Sequence, residues 1–136
     1  MPAGFKVVKD LQESEFTYVP VSSLTCAAFD LLELTAGSAN WAKTTSTTDH
    51  FTRKAIAMEA VTSGSQVLVY LLDGNELVEA QSVNNSAAAD NGDRMALTDE
   101  NTVNNSGTDV TGQAVAFLQV AIKGVAADKT ILGRIL

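Results

Sequence analysis

The side chains that could do chemistry are few: one histidine (His50), one cysteine (Cys26), and carboxylates gathered at Asp90, Asp93, Asp99 and Glu100. Asp90-Asn91-Gly92-Asp93 opens like a calcium loop, but such a loop needs Gly at its sixth position and Glu at its twelfth. Counted from Asp90, those positions hold Met95 and Asn101, so turn chemistry is the better account. Asp99-Glu100 could cap or ligate, and two adjacent carboxylates are usually solvated. Asn84-Asn85-Ser86 and Asn104-Asn105-Ser106 fit the glycosylation sequon, which has meaning only in a secreted chain. The charged opening MPAGFKVVKDLQESE does not read as a signal peptide. Cys26 has no basic cluster near it in sequence and reads as a small buried hydrophobe. His50 lies in a Thr/Ser-rich stretch, and no G-x-S-x-G elbow, H-E-x-x-H helix, P-loop or dinucleotide fingerprint frames it. The expectation is a chain with no catalytic, cofactor or metal site. A small hydrolase working through His50 is the enzyme alternative.

The elements say more. IAMEAVTSGSQVLVYLL (residues 56–72) and VAIKGVAADKTILGRIL (residues 120–136) align without a gap. Ile56, Met58, Val61, Val67, Leu68, Leu71 and Leu72 face Val120, Ile122, Val125, Ile131, Leu132, Ile135 and Leu136, while Ser63-Gly64-Ser65 faces Ala127-Asp128-Lys129. Each copy reads as a strand, a tight turn and a second strand. A lone hairpin is marginal in water, so both copies must join a sheet or barrel. In the second strand, Val67, Val69 and Leu71 line one side and Leu68, Tyr70 and Leu72 the other. Neither side is polar, so the strand wants two covers, one from its own core and one from a second layer or a neighbouring chain. Gly133 predicts a bulge or close backbone approach, and Arg134 a meeting with water or an acidic group.

Around these hairpins, residues 1–24 read as an amino-terminal arm or a first edge strand, with Pro20 favouring an edge. Residues 25–136 form the domain proper. LTAGSANWAK reads as a hairpin returning through Trp41, and DGNELVE as a turn leading into a short strand. Residues 81–113, dense in Asn, Asp, Ser and Gly, read as a surface excursion containing a helical turn or short strand near Arg94 to Leu97. Val83-Asn84-Asn85-Ser86 is echoed by Val103-Asn104-Asn105-Ser106, which suggests two similar turns. The fold class is all-β, a small barrel-like domain built of hairpins. At 136 residues the chain suits one domain. Sixteen acidic against nine basic residues give a net charge of −7, which disfavours nucleic acid and favours solubility. No run approaches the roughly 18 apolar residues of a membrane span.

The succession FDLLELTAGSANWAKTTST, KAIAMEAVTSGSQVLVYLLDG, the Asn-rich excursion with TVNNSGTD, and AFLQVAIKGVAADKTILGRIL resembles the small capsid decoration, or cement, proteins of tailed bacteriophages. The resemblance covers residues 25–136 and rests on patterns of fold. It implies a β-barrel-like domain of the β-tulip kind that sits as a homotrimer on the outer surface of the mature head, with an amino-terminal arm reaching neighbouring capsomers. The partner it implies is the major capsid protein, and the location is the virion after synthesis in the host cytoplasm. No cofactor, nucleic acid or membrane is implied. Phe5, Phe16, Tyr18, Trp41, Tyr70 and Arg134 are the candidate capsid or subunit contacts, since Trp and Tyr give most energy per residue at interfaces. The rival is a receptor- or carbohydrate-binding β module, such as the base of a head fibre, using Trp41 or Tyr18.

Overall fold

The computed structural model describes residues 4–9, 16–35, 37–106 and 114–136. They form an all-β structure of eleven strands in two sheets, with two single turns of 3-10 helix at Ala88–Asp90 and Ala126–Asp128. The strands are β1 (Phe5–Lys9), β2 (Phe16–Cys26), β3 (Leu31–Leu34), β4 (Ala42–Lys43), β5 (Arg53–Ala57), β6 (Val61–Leu72), β7 (Leu77–Gln81), β8 (Arg94–Leu97), β9 (Val103–Asn104), β10 (Ala116–Lys123) and β11 (Thr130–Ile135). One sheet has the order β1-β7-β11-β10-β8-β9, the other β2-β6-β5-β3-β4. The second sheet curls back on itself. Trp41, just before β4, bridges Val21 of β2 in parallel, and its amide donates to the Pro20 carbonyl at 2.9 Å.

The duplication is visible in three dimensions, one copy to each sheet. In the first copy Lys54 pairs with Leu72 and Ala57 with Val69, a ladder centred on Ser63. In the second, Phe117 pairs with Ile135 and Lys123 with Thr130. The second tip is the expected short turn, with Gly124 and Lys129 at positive φ (74° and 54°). The first is not. Ser63-Gly64-Ser65 does not form a tight turn but lies within β6, whose first half leaves β5 and pairs with β2 instead (Gln66 with Pro20, Gly64 with Leu24). The Glu59 carboxylate ends the β5–β6 ladder by accepting from the Leu68 amide at 3.0 Å. The Thr25 hydroxyl accepts from Ser63 at 3.0 Å, so donors that a tight turn would satisfy locally are met across the sheet.

Two apolar cores follow from the alternation of strand side chains. The first lies between the sheets and joins Leu31 and Ile56 to Phe5, Val78, Phe117, Ile131 and Ile135, so the two hairpin copies meet across it. The second lies inside the curl of the smaller sheet: Val19, Val21, Leu24, Cys26, Leu32, Trp41, Ala55, Ala57, Val67 and Val69. β6 is the strand apolar on both faces, with Val67 and Val69 inside the curl and Leu72 against the inter-sheet core. Much of its second cover is therefore supplied by this chain's own other sheet.

Gly133 stands opposite Gln119 beside a register shift in β10 between Gln119 and Ala121, so both readings of that glycine hold. A Cβ there would lie 2.0 Å from the Leu118 carbonyl oxygen. The Asn-rich excursion is built up through residue 106, while residues 107–113 lie outside the described residues. Arg94 to Leu97 is β8, and the two echoed turns pack on each other. The Asn105 amide donates to the carbonyls of Asn84 and Asn85 at 3.0 and 3.1 Å, and its oxygen accepts from the Asn84 amide at 2.9 Å. Asp90-Asn91-Gly92-Asp93 forms a turn, and the Asn91 side chain accepts from buried Gln119 at 2.9 Å.

Buried Asp30 holds the loop before β3 by accepting from the Ala27 amide at 3.0 Å. Burial pushes its carboxyl above the usual 3.8, and Glu100 adds to the rise, while the Ala27 amide and Lys43 oppose it. The folded state thus prefers Asp30 neutral, and the cost of its charge, present at neutral pH, is relieved as pH falls through the folded pKa towards 3.8. Asp30→Asn is expected to stabilise the protein at pH 7 by on the order of 1 kcal/mol and to lose that advantage on acidification. Urea unfolding at both pH values measures this.

Candidate binding groove

Where the edge strands of the two sheets meet, an apolar groove of about 480 Å³ opens. Residues 5–8 of β1 form one wall, Phe16 of β2 and Tyr70 of β6 the other, and Phe29, Ile56 and Met58 the floor. Phe16 pairs with Tyr70 across the strands, and their rings meet edge to face at 5.1 Å between centroids. Phe16 is 59% exposed and Tyr18, two residues along the same side of β2, 56%. Val8 is also exposed. Phe16, Tyr18 and Val8 lie near one another and are exposed, and clustered exposure of large apolar side chains marks a contact surface more often than single ones do.

The floor is held under strain. Phe29 has φ 73°, a left-handed conformation that bulky residues rarely adopt. Its amide donates to the Ala57 carbonyl at 2.7 Å and its carbonyl accepts from Phe5 at 2.9 Å, tying one sheet to the other. Gly4 (φ 137°) lies against it, where a Cβ would come within 2.5 Å of the Phe29 Cβ. Such strain persists where surrounding structure fixes a functional surface. The Lys6 ammonium sits 4.9 Å over the Phe29 ring and, among the described residues, is the one charged group lining the groove.

Of the residues singled out in sequence, the groove brings together Phe5, Phe16 and Tyr70, with Tyr18 beside it. Two need correction as contact residues. Phe5 is fully buried, packs against Phe117 at 6.4 Å between ring centroids and gives its outward amide to the Phe29 carbonyl, so it offers a partner no contact. Trp41 is 6% exposed because its ring fills the open side of the curled sheet, and it can form no platform for a partner or a sugar. Arg134 is exposed on β11, as the alternation of that strand requires. Lys6, Val8, Phe29 and Met58 were missed. The one signal in sequence was the basic character of FKVVK within an acidic chain.

Phe5–Lys9 and Phe16–Cys26 lie at the edges of the two sheets, so both stretches of the amino-terminal segment are strands. Cys26 is buried, and burial pushes its thiol up, away from the reactive thiolate. His50 lies beside Phe51, with ring centroids 4.0 Å apart, in a separate cleft of about 600 Å³ that also holds Arg53, Lys54 and Asp73. Burial lowers the Lys54 pKa, with Asp49 and Glu33 opposing, while its ammonium donates to the carbonyls of His50 and Thr52 at 2.8 and 2.7 Å. Among the described residues no group of three or more His, Cys, Asp or Glu could share a metal ion. No described helix is long and apolar enough to cross a membrane.

The described residues thus form an all-β protein with an apolar groove at the meeting of two sheet edges. Comparison with protein-family models, with curated proteins and with solved structures returned no match.

Proposed function

We propose that this chain is a structural capsid decoration protein, binding the outer surface of a mature phage head as a homotrimer and stabilising it against the pressure of packaged DNA. The observation that carries the reading is the pair of exposed aromatics Phe16 and Tyr18, with half-buried Tyr70 against Phe16, beside the β1 edge. An exposed apolar patch of this kind fits a protein partner, with Phe and Tyr as anchors. The sequence resemblance, and a charge of −7 that keeps free subunits soluble, fit the same role. Many copies on one shell make modest contacts sufficient, because binding several shell subunits at once multiplies the effect. The work asked of the protein is adhesion, with the major capsid protein as partner and the virion as its place.

The test is binding to purified expanded heads of the phage that encodes the chain. Saturable binding that raises the heads' resistance to heat or chelator is expected, and its absence would end the idea. Phe16→Ser with Tyr18→Ser should weaken binding at least about tenfold, as loss of interface anchors does. Both residues are more than half exposed, so the loss of stability should be about 0.5–1.5 kcal/mol, that of the Phe16–Tyr70 ring pair, and leave the protein folded.

A second reading has one observation in its favour. Phe51, 77% exposed, stands at the mouth of the cleft holding His50, Arg53 and Asp73, an aromatic platform beside polar groups. A receptor- or carbohydrate-binding module would use that cleft. Glycan binding abolished by Phe51→Ser and untouched by Tyr18→Ser would favour it.

A further inference from the structure

We propose that the open edge of β1 accepts an extended, acidic-flanked apolar segment of the partner as an added strand, seated in the groove. This rests on reading the groove as a docking surface, and it names the chemistry of the occupant. β1 is the terminal strand of its sheet, paired on one side with β7 through Phe5–Ala80, Lys6–Glu79 and Val7–Val78. The Phe5 amide points away from β7, to the Phe29 carbonyl. Amide direction alternates along an antiparallel pair, so the Val7 amide and carbonyl also face outward, into the groove that Val7 lines. The register shifts after Val7, between Val7 and Lys9, and exposed Val8 marks that irregularity. Among the described residues one short stretch of edge around Val7 is therefore left for pairing, beside a groove lined by Phe29, Met58, Phe16 and Tyr70 that can take alternate side chains.

Charge selects the occupant. FKVVK carries two lysines and no acid in a chain of net charge −7, and among the described residues Lys6 is the charged one lining the groove. A second copy pairing β1 with β1 about a twofold axis would bring the two Lys6 ammonium groups near one another, which opposes self-pairing. A segment with aliphatic residues in alternation and a Glu or Asp near Lys6 meets both the apolar walls and the cation.

The experiment uses the full chain and a synthetic acetylated peptide of alternating valine and threonine flanked by glutamates, with a lysine-flanked peptide as its counterpart. Hydrogen exchange and titration should show saturable binding of the glutamate peptide, with the Val7 amide newly protected. Val7→Pro removes an outward donor while sparing the ladder to β7, and should weaken binding about tenfold, the equivalent of one hydrogen bond. Should that variant misfold, Lys6→Glu, at a surface side chain, should reverse the preference between the two peptides. No saturable binding, equal binding of both peptides, or binding indifferent to Lys6→Glu would overturn the inference. So would sedimentation showing that the chain self-associates through the same protected edge. Retained binding to heads by a Lys6→Glu chain that binds no peptide would remove the strand-addition inference alone and leave the decoration reading standing.

Discussion

Removal of residues 131–136 is expected to leave a chain that is unfolded or insoluble. Those residues make up nearly all of β11, which lies between β7 and β10 and pairs with both. Ile131 and Ile135 are buried in the inter-sheet core, at 0% and 4% exposure. Each contributes about 1.5–3 kcal/mol by burial alone. The deletion also opens two strand edges in the middle of the larger sheet, leaving β7 with its ladder to β1 on one side and β10 with its ladder to β8 on one side. Together these losses rival the roughly 5–15 kcal/mol net stability of an ordinary domain. Circular dichroism and gel filtration of the truncated protein decide the matter, and a soluble product with the native spectrum would contradict the placement of β11.

Gly133→Ala is expected to destabilise the fold by about 3 kcal/mol or more, a large effect for one methyl group. The added carbon would stand 2.0 Å from the Leu118 carbonyl oxygen and 2.6 Å from the Phe117 ring. Neither can yield cheaply. The carbonyl belongs to the paired strand, and Phe117 is fully buried in the inter-sheet core. Gly37→Ala makes the control, since a Cβ there meets nothing within 4 Å and suffers only from a positive φ of 84°. That substitution should cost about 1 kcal/mol. Denaturant titration of the two variants measures the difference, and equal losses would mean that the close crossing at Gly133 is misplaced.

The hairpins were legible because their signal is local. Alternation over six residues marks β6, and a run such as Ala127-Asp128-Lys129 between apolar strands marks a turn. Gly133 was legible for the same reason: a glycine inside a strand pattern needs a local cause. The error at Ser63-Gly64-Ser65 arose where a non-local partner won. Those residues suit a turn, and Ser63 does take a positive φ of 46°, but β2 offers them a ladder that sequence proximity cannot reveal. Trp41 and Phe5 were misplaced because an aromatic's type does not say which way its strand faces. Trp41 turns inward by its bridge to Val21, and Phe5 by its register against Ala80. The two-sided apolar strand suggested a neighbouring molecule as cover, yet a second sheet, formed partly by the other copy of the same hairpin, covers much of it.

Phe5, Phe16 and Tyr70 were legible as candidate contacts, but their assembly into a groove was not. Its walls and floor come from residues 5–8, 16, 29, 56, 58 and 70, which only the stacking of two sheets brings together. Phe16 could be named in advance as a possible contact. That Phe29 would form the floor in a left-handed conformation, pinned by Gly4 and by the carbonyl of Ala57, could not.

The most direct test of the docking surface is hydrogen exchange of the protein alone and on saturated expanded heads. Protection on the heads is predicted to concentrate in β1, in the Phe16 to Val19 half of β2 and around Tyr70, with the His50 to Lys54 cleft exchanging as in the free protein. Protection confined to that cleft, or the same exchange pattern with and without heads, would contradict the account.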